Sequence, residues 1–334
     1  MNSLILIFPI LLSFVFALYG VPKWIKKCRQ TGLLWEDMNK YGFPQNVAGS
    51  GGFVVATSFI FGVLSYIAIR TFLIGSPDGT NIEIFALLSV VLILTLIGIT
   101  DDFLGWKYKG LTRRFRLFSA LFASIPLVVI NAGISTINFP FVGNLNLGLI
   151  YPLFFVPIGV TGAATAYNML AGFNGLEAGQ GIIILSALSF VAYKTGTTWL
   201  ALVGLIMIAP LLVFYYYNKY PAKVFPGDSL TWTIGALIAV MAILGNFEKI
   251  AVFMFLPYIA EVFIKSRGRL KKYSLVKPNK DGSLRLPYRK VYSMTHLSLL
   301  ILSGFKKKVY EKDVVYLIFA LQIVICIFAI LIFI

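Results

Sequence analysis

The sequence predicts an all-α, polytopic integral membrane protein with about ten transmembrane helices and its active site on the cytoplasmic face. Three observations carry the fold class. Of the 334 residues, 59% are hydrophobic and the mean hydropathy is +0.87, more apolar surface than a soluble domain of this length carries. The apolar residues fall in repeated runs of about 20, the length that crosses a hydrocarbon core of ~30 Å. The short alternating segments of a transmembrane β-barrel are absent. The 29 Lys and Arg residues gather in a few connecting segments.

The first span is expected at about residues 3–21. Its apolar run exceeds a signal-peptide core and lacks a preceding basic region and a small-residue cleavage site, so it is read as a retained helix. Further spans are expected at about 50–74, 82–100, 116–132, 149–167, 180–194, 198–217, 229–245, 249–265 and 313–334. Neither an internal repeat nor a soluble linker separates them. Residues 1–334 are therefore read as a single transmembrane domain with a basic cytoplasmic loop at about 265–312. An even number of spans puts both termini on one side. With the termini outside, 26 of the 29 basic residues fall on inner segments, leaving Arg70, Lys194 and Lys249 outside. The positive-inside rule selects this orientation, and it accounts for the net charge of +16 without nucleic acid. The outer loops, at residues 75–81 and 133–148, read as turns without clustered ionisable groups. Cys28 and Cys326 lie at opposite ends of the chain, so neither a disulfide frame nor a thiolate metal site is expected.

Polar islands interrupt the inner ends of this pattern. Asp101 and Asp102 close an apolar run. Residues 168–180 read Asn-Met-Leu-Ala-Gly-Phe-Asn-Gly-Leu-Glu-Ala-Gly-Gln, a glycine-rich segment between two spans. Asp228 sits in Phe225-Pro226-Gly227-Asp228-Ser229. Ionisable groups at such depth are costly unless solvated or paired. Neighbouring residues on a helix point about 100° apart, so one aspartate of the pair can face a site while the other meets a basic residue. The plainer alternatives are an interfacial pair that marks a helix end, and for Asp228 a helix N-cap. Carboxylates and carboxamides are hard oxygen ligands that suit Mg²⁺, or Mn²⁺ in its place. Arg113, Arg114 and Arg116 follow the aspartate pair, and Arg267 and Arg269 open the long loop. Arginine binds phosphate bidentately, whereas the lysines near 271–272 and 306–308 suit anionic headgroups. His296, the sole histidine, is read as an incidental loop residue, and a multi-histidine metal site is excluded. Mg²⁺ ligands, arginines and a glycine-rich backbone at a membrane surface suggest phosphoryl transfer to a lipid acceptor. A Walker-type Gly-x-x-x-x-Gly-Lys is missing, which disfavours an ATPase.

These residues closely resemble the polyprenyl-phosphate N-acetylhexosamine-1-phosphate transferases, and within them the eukaryotic and archaeal branch. The run Asn168 to Gln180 matches that branch's signature almost position for position. Asp101-Asp102 resembles its Asp pair, Phe225-Pro226-Gly227-Asp228 its Phe-x-Gly-Asp turn, and Asp37-Met38-Asn39-Lys40 with residues 44–52 its first cytoplasmic loop. Arg267-Gly268-Arg269 resembles its Arg-His-Arg sugar segment, with Gly268 in place of the histidine. Gly105 stands where relatives have Asn, and Gln45 where they have Glu.

The resemblance implies transfer of GlcNAc-1-phosphate from UDP-GlcNAc to dolichyl phosphate, the first step of lipid-linked oligosaccharide assembly for N-glycosylation. The same chemistry with another UDP-N-acetylhexosamine or for another surface glycan is the alternative, and a lipid or nucleotide-sugar transporter the more distant one. By the same resemblance Asn168 and Asp228 hold Mg²⁺. Gly172 and Asn174 contact uracil, which stacks on Phe225. Asp101 and Asp102 form the catalytic pair, Arg267 and Arg269 contact sugar and diphosphate, and Gln45 borders the substrate. Arg113 and Arg116 compete with Lys109 for the catalytic phosphate contact. Expected partners are the nucleotide sugar, the polyprenyl phosphate, membrane lipids and a second copy of the chain, in a prokaryotic, archaeal plasma membrane.

Overall fold

A computed structural model describes residues 3–75, 78–139 and 143–334. The chain forms an α-helical membrane bundle trimmed by three two-stranded hairpins. Helix α1 (Ile7–Thr31) is followed by β1 (Leu34–Glu36), β2 (Gln45–Ala48), α2 (Gly52–Ile69), α3 (Thr80–Lys107), α4 (Arg113–Ala123) and α5 (Ile125–Val129). Strands β3 (Thr136–Phe139) and β4 (Gly143–Asn146) precede α6 (Val156–Met169), α7 (Leu176–Lys194), α8 (Thr198–Asn218) and α9 (Asp228–Leu244). The chain ends in α10 (Glu248–Met254), α11 (Leu256–Ser266), β5 (Lys277–Pro278), β6 (Leu284–Arg285), α12 (Met294–Ser303) and α13 (Glu311–Phe333). Among the described residues, six helices are long and apolar enough to cross a membrane: α1, α2 with its extension to Ile74, α3, α7, α8 and α13.

The other four expected spans coincide with shorter or broken helices. Residues 116–132 become α4 and α5, which meet at Ser124 just before Pro126. Residues 249–265 become α10 and α11, which meet at Phe255 just before Pro257. In both pairs the proline occupies the first turn of the second helix, where its missing N–H costs nothing. Residues 149–167 become a wide turn over Tyr151–Phe155 that leads into α6. Residues 229–245 become α9, one residue longer at its start.

Two helices outrun their apolar patterns. Helix α1 continues through Lys23, Lys26 and Lys27, which are good helix formers, and stops where Gly32 turns left-handed (φ +76°) with its N–H on the Cys28 carbonyl. Helix α3 runs seven residues past the expected end at Thr100, so Asp101 and Asp102 lie within its last turns instead of closing it. The expected outer loop at 133–148 contains the β3–β4 hairpin, and its residues 140–142 fall outside the described residues. Residues 76 and 77 of the other outer loop are likewise outside them. The long basic loop holds β5, β6 and α12.

Helix α9 is the pillar of the bundle. Every residue from Ser229 to Leu244 is buried, as expected of a helix that is apolar all round. It packs on α3, α6 and α2. Small residues permit the close approach. A methyl group built on Gly52 would sit 2.2 Å from the Leu230 nitrogen, one on Gly98 2.6 Å from the Asp228 carbonyl oxygen, and one on Gly235 2.6 Å from Ala164 Cα. Overpacking of this kind costs ~1–3 kcal/mol. The glycines thus fix where Asp228 lies relative to α3.

Candidate active site

The helices reach the site by consistent ends. The C-terminal ends of α1, α3, α6 and α11 and the N-terminal ends of α2, α4, α7, α9 and α13 meet at one end of the bundle. They enclose a cavity of about 570 Å³. Its wall includes Trp35, Asp37, Ser50, Asp102, Arg113, Arg116, Asn168, Gly172, Glu177, Phe225, Asp228, Thr231, Lys265 and residues 270–275.

One side of the cavity is charged. Arg116, on α4, uses a single nitrogen for two carboxylates: its Nη1 donates to Asp101 Oδ2 at 2.8 Å and to Asp228 Oδ2 at 2.8 Å. Asn168 Nδ2, at the end of α6, donates to Asp228 Oδ1 at 2.8 Å and to Thr231 Oγ1 at 2.8 Å. Asp101 also accepts from the Leu111 backbone nitrogen, which pins the turn between α3 and α4. Asp102 is buried and accepts from the nitrogens of Asp228 at 2.7 Å and Ser229 at 3.2 Å. It therefore caps α9 from another helix and satisfies two of the orphan amides at that N-terminus. The adjacent aspartates divide their work: Asp101 meets the basic residue, and Asp102 lines the cavity while holding α9. The N-cap position of α9 itself is Gly227, so Asp228 is not the cap that its sequence setting suggested. Its carboxylate is free for cross-helix contacts. Of the three competing cations, Arg113 and Arg116 line the cavity, and Lys109 is exposed and outside its lining.

The donor set suits a hard divalent cation. Asp228 and Thr231 offer a carboxylate and a hydroxyl oxygen within one cluster, and Asn168, whose Nδ2 faces them, carries a carboxamide oxygen on the same group. Among the described residues no three His, Cys, Asp or Glu side chains are grouped to hold an ion by themselves. Mg²⁺ commonly takes one or two protein carboxylates and completes its shell with substrate phosphates, so a site this lean fits a metal that arrives with a diphosphate.

A second part of the wall is the glycine-rich floor. Helix α6 ends at Met169, and the chain crosses to Gly175, the N-cap of α7, through Gly172 (φ +107°) and Gly175 (φ +84°). Both conformations belong to glycine. The floor is braced from several directions. Gly172 N donates to Glu177 Oε1 at 2.7 Å, and Asn39 Nδ2 donates to the Gly172 carbonyl at 2.7 Å. Lys265 Nζ donates to the Met169 carbonyl. Asn174 N donates to Glu311 Oε1 at 2.7 Å. Phe225 lines the cavity beside this floor, with its nitrogen on the Ala48 carbonyl at 2.7 Å and its carbonyl receiving Gly51 N at 2.9 Å.

Seven expected site residues therefore line one cavity: Asp102, Arg113, Arg116, Asn168, Gly172, Phe225 and Asp228. Asp101 joins them through Arg116. Four others lie off its wall. Asn174, expected to face a base, is buried behind the floor: its Oδ1 accepts from Ala222 N at 2.7 Å and its Nδ2 donates to Asp37 Oδ2 at 3.3 Å. Gln45 is exposed on β2. Arg267 and Arg269 are exposed beyond the end of α11, where Arg269 adopts φ +52°, and the following residues 270–275 line the cavity instead.

His296 is a correction. Far from incidental, it is fully buried at the start of α12, its Nδ1 accepting from Tyr292 N at 3.3 Å and its Nε2 lying 3.1 Å from the Leu275 carbonyl. Burial pushes its pKa below the usual 6.5. The neutral imidazole with hydrogen on Nε2 satisfies both neighbours. Asp37, Glu177, Lys265 and Glu311 were not assigned site roles from sequence. Their signal was scarcity: with 13 acidic residues in 334, each buried carboxylate in this membrane chain needs a partner.

Residues 84–246 match the family described as Glycosyl transferase family 4. A Saccharolobus solfataricus protein, provisionally named a UDP-N-acetylglucosamine–dolichyl-phosphate N-acetylglucosaminephosphotransferase, is 33% identical over 334 residues, 99% of this chain and 98% of its own length. The Dictyostelium discoideum protein that bears this name is 29% identical over 277 residues, 72% of this chain and 66% of its own. A phospho-N-acetylmuramoyl-pentapeptide-transferase of Streptococcus agalactiae is 31% identical over 261 residues, 75% of this chain and 76% of its own.

Proposed function

This chain belongs to glycosyl transferase family 4, and from that premise we propose that it transfers N-acetylglucosamine 1-phosphate from UDP-GlcNAc to a dolichyl-type polyprenyl phosphate. The products are the lipid-linked GlcNAc diphosphate and UMP, the opening step of lipid-linked oligosaccharide synthesis for N-glycosylation. The observation that carries the reading is that the Asp101–Arg116–Asp228–Asn168 cluster and the glycine-rich floor at Ala171–Phe173 border a single cavity. The name of the Saccharolobus solfataricus relative, matched over nearly its full length, supports the donor and the acceptor.

In the reaction an oxygen of the acceptor phosphate attacks the sugar-bearing phosphorus. That P–O bond forms as the bond to the bridging oxygen breaks, and its electron pair leaves with UMP. A phosphate monoester has a second pKa of about 6, so the acceptor is already an anion near neutrality. Positioning and charge compensation then supply most of the rate. Asp228 and Asn168 would hold Mg²⁺ or Mn²⁺, which neutralises charge on the diphosphate. Arg116, Arg113 and Lys265 present cations to the phosphates. Asp102 holds the α9 N-terminus and so fixes Asp228. Phe225 supplies the aromatic face beside the floor.

The convergence of alternate helix ends supports ten crossings with both termini outside and the cavity on the cytoplasmic face. It also accords with the distribution of basic residues. Archaeal relatives support an archaeal plasma membrane. The test is UMP release by purified protein from a panel of UDP-sugars, with one polyprenyl phosphate, with and without Mg²⁺. Metal-dependent release from UDP-GlcNAc is expected. Binding of UDP-GlcNAc with no UMP under any condition would replace this reading with transport.

A further inference from the structure

We propose that Glu311, the first residue of α13, is a positioning residue for the nucleotide sugar: it holds the glycine-rich floor from behind and, through Lys40, sets the carboxylate of Asp37 on the cavity wall. The inference rests on the donor reading above and assigns that site a part 137 residues away in sequence.

The geometry begins with a carboxylate that its own helix does not use. Helix α13 is capped by its neighbours: Tyr310 N donates to Asp313 Oδ2 at 2.9 Å, which closes a capping box. The Glu311 side chain instead leaves the helix. It is 2% exposed. Oε1 accepts the Asn174 backbone N–H at 2.7 Å, and Oε2 pairs with Lys40 Nζ. Lys40 Nζ also lies 3.2 Å from Asp37 Oδ2 and 4.4 Å from the centre of the Tyr220 ring. Asp37 Oδ2 in turn accepts from Asn174 Nδ2 at 3.3 Å. The circuit Glu311–Lys40–Asp37–Asn174 thus closes on itself. It ties the first loop and the last helix to the segment between Gly172 and Gly175.

Asp37 and Gly172 line the cavity, whereas Glu311 and Lys40 do not. A buried carboxylate with a charged partner and a backbone amide is costly to assemble and strongly destabilising to break. That cost is explicable if it buys a fixed floor. Nothing in the circuit reaches the Arg116–Asp228 cluster, so its loss should loosen the donor without touching the reacting groups.

The test compares Glu311→Ala, Glu311→Gln and Lys40→Met with wild type in full-length detergent-solubilised protein. The readouts are steady-state kinetics for both substrates and direct binding of UDP-GlcNAc by calorimetry. Glu311→Ala should raise KM and Kd for UDP-GlcNAc about tenfold or more, with kcat within about threefold and KM for the polyprenyl phosphate unchanged. Glu311→Gln keeps an acceptor for Asn174 N–H and should recover most of that loss. Lys40→Met should fall between them. The proposal is overturned if Glu311→Ala binds UDP-GlcNAc like wild type, or if its defect is a loss of kcat with donor KM unchanged. Should Glu311→Ala fail to fold, the Lys40→Met and Glu311→Gln affinities decide. Wild-type protein that binds no UDP-GlcNAc would instead remove the donor reading itself.

Discussion

On one side of the cavity, Asp102, Asn168 and Asp228 stand on the ends of α3, α6 and α9, where buried helices and close glycine contacts fix their backbones. Elsewhere on its wall, residues 169–175 are held by Glu177 in the first turn of α7 and by Asn39, Lys265 and Glu311, which come from three distant segments. The charged side is rigid because of what it is built on. The floor is rigid because of what is tied to it. The difference suggests a division of labour. Asp102, Asn168 and Asp228, whose polar groups need accurate placement, sit on α9 and on two helices packed against it. The floor is assembled from a loop tied down by distant side chains.

The largest effect that would sharpen this comparison is expected from Asp228→Asn. The variant keeps the α9 backbone but loses the charge that Arg116 answers, so kcat should fall about 10²–10³-fold, with a smaller rise in donor Kd. UMP release and calorimetry on the same preparation check both numbers. A rise in Kd with kcat intact would merge the two sides. Asp102→Ala comes next. It strands the N–H groups of Asp228 and Ser229, at ~1–3 kcal/mol for an unpaired buried group, and should lower both the thermal midpoint and kcat. A variant as stable as wild type would show that α9 does not depend on this cap.

Gly172→Ala tests the floor. The φ of +107° is strained for any other residue, by ~1–3 kcal/mol. Donor KM should rise about tenfold, while kcat at saturation stays within a few-fold. The smallest effect concerns pH. The folded protein keeps His296 neutral by burial, whereas the unfolded chain takes up a proton near pH 6.5. Folding is therefore favoured fully above that pH and weakens as pH falls through it toward the lower folded value. Protonation would also cost Tyr292 its acceptor. Thermal midpoints from pH 8 to pH 5 should decline on the acid side in wild type and less so in His296→Gln. Parallel curves would mean that another group titrates.

The apolar runs were legible because lipid imposes them residue by residue, and the gathering of the basic residues in a few connecting segments is visible in the chain itself. Asp101, Asp102, Asn168 and Asp228 were legible because charge and amide at the ends of apolar runs are costly. The breaks at Ser124 and Phe255 were not, since the apolar pattern runs through them and Pro126 and Pro257 alone mark the change. Nor was α12, whose ten residues lie within a loop dominated by lysine and arginine. The partnerships were the least visible. Asp102 caps a helix 126 residues away, and Asn174 spends its carboxamide on Asp37 and Ala222 instead of facing the cavity. Such pairings depend on tertiary packing, which spacing along the chain does not encode. His296 misled for the same reason.

The tie between Asn174 and Glu311 has a consequence for biogenesis. Synthesis runs from the N-terminus, and domains generally form as their segments emerge. The charged cluster can assemble once α9 has entered the membrane. The floor must wait for the first turn of α13, which leaves the ribosome far later. A chain stalled before residue 311 would carry its acidic and basic groups in place but lack the brace behind residues 172–175. Catalytic competence would then arrive late, as the last helix is inserted.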